Sequence, residues 1–237
     1  MVFSLFQVTA IFFWALLSAA LEVNIEGAHG WAKSLPTMRR ARGRGVMRAV
    51  QLLVMGGRPI TGYHLCMFAL QLFAFHLCYL QGMPFTWSHE CLTLEAFFLV
   101  CPTWDFLWFI LNPAYGLKKF TKDDIEWHKG RWWPFGKFPA DYAVAAFLAL
   151  GFALLAAHPQ KEPLNLINVA GTGCLWFALT YLAVDLIGPW YRRRRVRLLA
   201  ANDPPIVETN VDEVPAIVPS VFDEELPPSP PDSSERG

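Results

Sequence analysis

Residues 91–113 read CLTLEAFFLVCPTWDFLWFILNP, a mostly apolar run that nevertheless contains two acids, Glu95 and Asp105. A helix of this length can cross the hydrocarbon core of a bilayer, which is about 30 Å thick. Acidic side chains are costly at that depth and need polar partners. Because a helix turns about 100° per residue, Cys101, Asp105 and Asn112 share one face. We therefore predict a spanning helix whose polar face is covered by other parts of the chain.

The composition indicates a multi-pass membrane protein. The chain has 237 residues, of which 54% are hydrophobic and only 17% are charged, a balance too apolar for an ordinary soluble domain. We predict an all-α integral membrane domain over residues 1–200. A tail over residues 201–237, rich in proline and acids, is expected to be disordered and cytoplasmic. The five transmembrane helices are expected at about residues 2–23, 63–80, 91–111, 142–158 and 164–190.

The basic residues predict the orientation of these spans. The segments before the second span, before the fourth span and after the fifth span carry 19 of the 20 Lys and Arg residues. Lys161 is the remaining one. Because basic loops stay on the cytoplasmic side of a membrane, the N-terminus is expected outside and the C-terminus inside. The expected location is the cytoplasmic membrane, or an endomembrane if the source is eukaryotic.

With this orientation, acids and histidines from separate segments gather near the cytoplasmic face. Carboxylates and imidazoles at one depth are ligands for iron, manganese or zinc, and they are also acid–base groups. We expect His64, Asp105 and His128 to act in catalysis if the protein is an enzyme. The alternative is that each group caps a helix end or pairs with a loop arginine. The predicted metal ligands are Glu22, Glu26, His64, Asp105 and His128.

Two further groups of polar residues carry weaker signals. Glu26 and His29 have the E-x-x-H spacing of di-metal bundles, but only one copy is present, and Gly27 and Gly30 favour a helix end there. The other group is expected at the outer face, where water satisfies its loop members at little cost. It consists of His76, His89, Glu90 and Glu95.

Several functional classes are disfavoured by what the sequence lacks. It has no phosphate-binding loop, dinucleotide-binding motif or nucleophile elbow. The five cysteines show no C-x-x-C spacing and are odd in number, which argues against a disulfide framework or a zinc ribbon. The basic residues 192–197 are placed to contact anionic lipid headgroups, and nucleic acid is not an expected partner.

The expected function is that of a membrane-embedded enzyme or metal-binding protein acting on a lipid or small amphiphile. One alternative is a structural or assembly subunit, because a stripe of alanines lets another membrane protein approach closely. A second alternative is a small transporter, which the lack of an internal repeat disfavours. The expected partners are therefore the lipid bilayer and other membrane proteins. The alanine stripe consists of Ala145, Ala149, Ala153 and Ala157.

Several motifs resemble an uncharacterised family of small multi-pass membrane proteins from bacteria and archaea. The family pattern has an acid where Trp104 and His29 stand in this chain. The resemblance implies no known activity, and it leaves Glu22, Glu26, His64, Asp105, Asn112 and His128 as the matching polar residues. The motifs are residues 22–37 (EVNIEGAHGWAKSLPT), 61–65 (TGYHL), 105–113 (DFLWFILNP) and 139–142 (PADY), with Trp127, His128 and Trp132.

Overall fold

The computed structural model describes residues 3–39, 44–45, 48, 60–125, 132–136, 138–157 and 166–202, the last range without the side chains of residues 166–169. Within these ranges the chain is all-α, as predicted, and contains no strand beyond an isolated β-bridge between Arg39 and Thr61. A π-helical segment, Ala183–Ile187, joins the last two helices into one continuous helix. The helices are α1 (Leu5–Glu26), α2 (Gly62–Leu80), α3 (Trp87–Leu111), α4 (Ala140–Ala157), α5 (Leu166–Leu182) and α6 (Gly188–Asn202).

Five helices of the described chain are long and apolar enough to cross a membrane: α1 to α4 and the continuous helix Ala170–Ala201. This number agrees with the sequence prediction. The chain divides into two compact units, Met1–Leu199 and Ala200–Gly237, and the packing of the helices belongs to the first. Of the second unit, only the end of α6 is among the described residues. The predicted disordered tail began at residue 201, but residues 201 and 202 are helical, and the rest of the tail lies outside the described residues, as does His128.

Helix caps explain where the first three helices begin and end. The Ser4 hydroxyl accepts the amide of Gln7, whose side chain binds back to the Ser4 amide, so α1 begins with a capping box. The Thr61 hydroxyl caps α2 and the Thr86 hydroxyl caps α3, each by accepting a backbone amide of the first helical turn. The first helix ends at Gly27, where φ is 64°, a conformation that glycine adopts at little cost.

The third helix is the centre of the bundle. Val100, Leu107, Phe109 and Ile110 are fully buried, and α3 packs most extensively against α4 and α1. Its end is tied to the end of α1 by Asn112, whose Nδ2 donates to the carbonyl of Gly27 at 2.8 Å. This bond sets the two helix ends at one level, because both groups lie just beyond the last helical turn.

Two arginines of α6 bind the ends of the same two helices. Arg192 donates to the carbonyl of Ile110, near the end of α3. Arg195 donates to the carbonyl of Val23 at 3.2 Å and also to Asn24, near the end of α1. The last carbonyls of a helix lack partners within the helix and favour a cation. The ends of α1 and α3 and the start of α6 therefore lie at the same end of the bundle.

The alanine stripe of α4 lies partly inside the chain. Ala149 and Ala157 are buried, and Phe152 on the same helix stacks on Phe98 of α3, with ring centroids 5.7 Å apart. Small side chains let two helices approach closely, and here the neighbour is α3. The other two stripe residues, Ala145 and Ala153, are half-buried.

Candidate metal centre

Two carboxylates of the candidate centre come from the last turns of α1. Glu22 and Glu26 are four residues apart, so their side chains lie one above the other on one helix face. Only 6% of Glu22 and 4% of Glu26 is exposed. The helix continues past the predicted boundary at residue 23 to Glu26, and this extension keeps the two carboxylates in register.

The third member is His64 in the first turn of α2. The Thr61 hydroxyl accepts the His64 amide at 3.2 Å and also lies 2.7 Å from the ring atom Nδ1. The opposite ring atom, Nε2, lies 3.9 Å from Oε1 of Glu26. One potential ligand atom from each of Glu22, Glu26 and His64 lies within 4.8 Å of the other two. The described residues contain no other group of three such side chains this close together.

The loop after α1 covers this group. The Trp31 ring stacks on the His64 ring, with centroids 4.2 Å apart and planes inclined at 26°. The next residue, Ala32, is fully buried and donates its amide to Oε1 of Glu26 at 2.5 Å. The loop therefore contacts the imidazole with a side chain and the carboxylate with a backbone donor.

Two aromatic side chains present polar atoms to Glu22. The Tyr63 hydroxyl and the Trp104 Nε1 are both buried and both interact electrostatically with the Glu22 carboxylate. Neither has the geometry of a hydrogen bond in this structure. Trp104 is only 3% exposed, and its indole N–H lies buried beside the Glu22 carboxylate.

The two carboxylates of the centre have no Lys or Arg beside them in the part of the chain that the structure describes. Within the described residues, no Lys or Arg forms an ion pair with Glu22 or Glu26. Removing a charge from water costs several kcal/mol, and a buried acid is therefore normally paired or bound to a metal. A divalent cation would compensate both carboxylates at once.

Asp105 lies beside this group but is not one of the three clustered ligands. It is half-buried, and its Oδ2 accepts a hydrogen bond from the Tyr142 hydroxyl at 2.6 Å. Its charge is close enough to act on both Glu22 and Glu26. The side chain therefore adds negative charge next to the centre while α4 holds one of its oxygens.

The other predicted polar residues lie elsewhere. His29 is exposed, because α1 ends before it, so Glu26 and His29 do not share a helix face. Glu95 is half-buried in α3 and forms no hydrogen bond or ion pair with the described residues. At the opposite end of the bundle, Nε2 of His76 lies 3.1 Å from Oε1 of Glu90. The Glu90 carboxylate also accepts a hydrogen bond from the Tyr79 hydroxyl at 3.1 Å.

The three potential ligands, Glu22, Glu26 and His64, suit a transition metal ion. Two carboxylates and one imidazole are oxygen and nitrogen ligands of the kind that Zn²⁺, Fe²⁺ and Mn²⁺ take, and sites with three protein ligands leave a position for water or a substrate. The Thr61 hydroxyl at Nδ1 resembles the outer-shell partners that orient histidine ligands in metal sites. The chemistry available to such a centre includes polarising a carbonyl or phosphoryl oxygen.

Sequence reasoning did not single out Thr61, Trp31, Tyr63 or Trp104 as parts of the site. The signals were that Thr61 precedes a helix by one residue, as a cap does, and that Tyr63 and Trp104 are the sequence neighbours of His64 and Asp105. None of the protein-family models, curated proteins or solved structures compared with the chain matches it. The candidate centre therefore rests on the geometry of this chain.

Proposed function

We propose that this chain is an integral membrane protein that binds a divalent transition metal ion within its helical bundle. The observation that carries the proposal is the burial of Glu22, Glu26 and His64 with one ligand atom from each within 4.8 Å of the others. A metal ion accounts for two acids that have no Lys or Arg partner among the described residues. Zn²⁺, Fe²⁺ and Mn²⁺ are the candidate ions.

We place the centre at the cytoplasmic end of the bundle. The described basic residues near this end, among them Lys118, Lys119 and residues 192–195, support this orientation through the positive-inside rule. In this orientation the N-terminus is outside. Because Glu22 and His64 lie within predicted spans near the membrane surface, a substrate is expected to be a lipid or small amphiphile.

In an enzyme of this design, Asp105 is the candidate general base. It lies next to the three ligands and is oriented by Tyr142, as a base that accepts a proton from a bound substrate or water has to be. This arrangement favours an enzyme over a purely structural subunit, in which the acids would be expected to pair with cations.

The experiment that tests the function is metal analysis of purified protein by mass spectrometry, before and after exposure to Zn²⁺, Mn²⁺ or Fe²⁺. The wild type is expected to hold about one ion per chain, the number of such groups in the described structure. Each of the three ligand substitutions should weaken metal binding more than loss of an outer-shell partner does, which is roughly 10- to 100-fold. The substitutions are Glu22→Gln, Glu26→Gln and His64→Gln.

Glu95→Gln is the matched control, because it removes a half-buried helical acid that lies outside the centre. It should bind metal as the wild type does. Absence of metal from the wild type under all conditions would contradict the function, and so would equal loss in the control and the three ligand variants.

A further inference from the structure

We propose that Arg39, which contacts none of the three candidate ligands, is a positioning residue for the metal centre. It holds the segment Trp31–Ala32 and the cap residue Thr61, and these in turn orient Glu26 and His64. The inference rests on the metal-binding function proposed above and adds to it the device that sets the geometry of two ligands.

The segment over the centre has an unfavourable backbone. Trp31 and Ala32 are consecutive residues with φ of 59° and 51°, in the left-handed region that residues other than glycine rarely adopt. Such conformations persist only where surrounding contacts hold them, and they cluster at functional sites. Contacts from neighbouring residues therefore have to hold this segment in place.

The left-handed turn places two groups on the ligands at once. It directs the Ala32 amide to Oε1 of Glu26, and it lays the Trp31 ring on the His64 ring. An amide at one carboxylate oxygen limits how the carboxylate rotates. A stacked indole likewise limits how the imidazole tilts.

The side chain of Arg39 holds this turn from the other side. Its Nη2 donates to the carbonyl of Ala32 at 2.5 Å and to that of Lys33 at 3.4 Å. Ala32 thus donates its amide to Glu26, and its carbonyl accepts from Arg39 and from the Leu35 amide. Because Arg39 is exposed while Ala32 is fully buried, the guanidinium reaches inward from the surface to a backbone group at the centre.

The backbone of Arg39 supports the second ligand. It lies opposite Thr61 in an antiparallel bridge, in which the Gly62 amide donates to the Met38 carbonyl at 2.8 Å. The Thr61 hydroxyl lies 2.7 Å from Nδ1 of His64. With Nδ1 facing this hydroxyl, Nε2 is the nitrogen that faces the carboxylates. The side chain of Arg39 thus binds the covering loop, while the backbone at Met38 and Arg39 pairs with the start of α2, and both contacts lead to a ligand.

The test compares Co²⁺ binding to wild-type protein with binding to Arg39→Gln, Arg39→Lys and Arg44→Gln. Co²⁺ is a spectroscopic substitute whose visible absorption reports the ligand geometry. Arg39→Gln should weaken Co²⁺ binding by about 10- to 100-fold and change the absorption bands, as loss of an outer-shell partner does. Arg39→Lys keeps a cationic donor and should restore much of both. Arg44 is an exposed arginine of the same loop, so Arg44→Gln should behave as the wild type.

Each outcome has a distinct meaning. Unchanged affinity and an unchanged spectrum in Arg39→Gln would overturn the positioning role and leave the metal function standing. A wild type that binds no Co²⁺ would overturn both. Should Arg39→Gln fail to fold, Arg39→Met decides instead, because it keeps the aliphatic stem and removes the donor that binds the Ala32 carbonyl. The methionine variant must bind Co²⁺ more weakly than Arg39→Lys, which keeps a donor, and equal binding by the two would overturn the proposal.

Discussion

At the scale of single residues, the feature with the clearest energetic consequence is the left-handed conformation of Ala32. An alanine in this region is less stable than in a right-handed one by roughly 1–2 kcal/mol. The nearby Ala28 lies in the same loop but does not have positive φ. The two alanines therefore provide a matched pair for substitution by glycine.

We predict that Ala32→Gly raises the free energy of unfolding by up to about 1 kcal/mol, because relief of the left-handed cost exceeds the roughly 0.4–1 kcal/mol by which glycine stabilises the unfolded chain. Ala28→Gly has no such relief and should lower the free energy of unfolding. Thermal unfolding in detergent micelles gives the sign of each change. Equal destabilisation by both substitutions would show that Ala32 is not held in the left-handed region.

At the scale of helices, the continuous last helix approaches α3 closely at Gly188. Gly188 begins α6 directly after the π-helical segment, and an added Cβ there would lie 2.6 Å from Cγ2 of Ile110 and 3.0 Å from its carbonyl oxygen. π-Helical segments such as Ala183–Ile187 often occur at functional sites, and they change the direction of the residues that follow. Here the following residues include Arg192, which binds the end of α3.

Gly188→Ala should therefore lower the free energy of unfolding by about 1–3 kcal/mol, the usual cost of overpacking. Gly171→Ala is the control, since an added Cβ at that helical position has no neighbour within 4 Å. The control should be neutral or stabilising by up to about 1 kcal/mol, because alanine favours a helix more than glycine does. The measurement is thermal unfolding of the two variants in the same detergent. Identical unfolding temperatures would show that α3 and α6 are not in close contact.

At the scale of the whole molecule, the proposed orientation places the two ends of the bundle in different compartments. The link between α2 and α3 lies at one end, and the basic segment after α3 lies at the other. Exposed residues exist at both ends, including Met83 in the first link and Lys118 in the second. The two positions allow the orientation to be measured directly.

In a variant without the five native cysteines, Met83→Cys should react with a membrane-impermeant thiol reagent added to intact cells, and Lys118→Cys should react only after permeabilisation. Membranes solubilised in detergent provide the control, since both positions should then react. Labelling of Lys118→Cys alone in intact cells would reverse the proposed orientation and move the centre to the outer face.

Much of the fold was predictable because it depends on local pattern. Long apolar runs predicted all five helices, and the central run at residues 91–113 is, with the first helix, the most buried of them. Exact helix ends were less predictable. The first helix extends to Glu26 and the last continues to Asn202, because caps and bonds to neighbouring helices determine such ends.

The candidate centre was predictable only in part. The sequence indicated that Glu22, Glu26 and His64 share one depth, since depth follows from position along each span. It did not indicate that Trp31 and Ala32 cover them, because that depends on two left-handed backbone conformations and on the bond from Arg39 that holds them. Sequence alone thus determined which elements form and which polar residues they carry. Only the tertiary structure decided which of those residues meet, because meeting depends on helix rotation and loop conformation, and both result from packing.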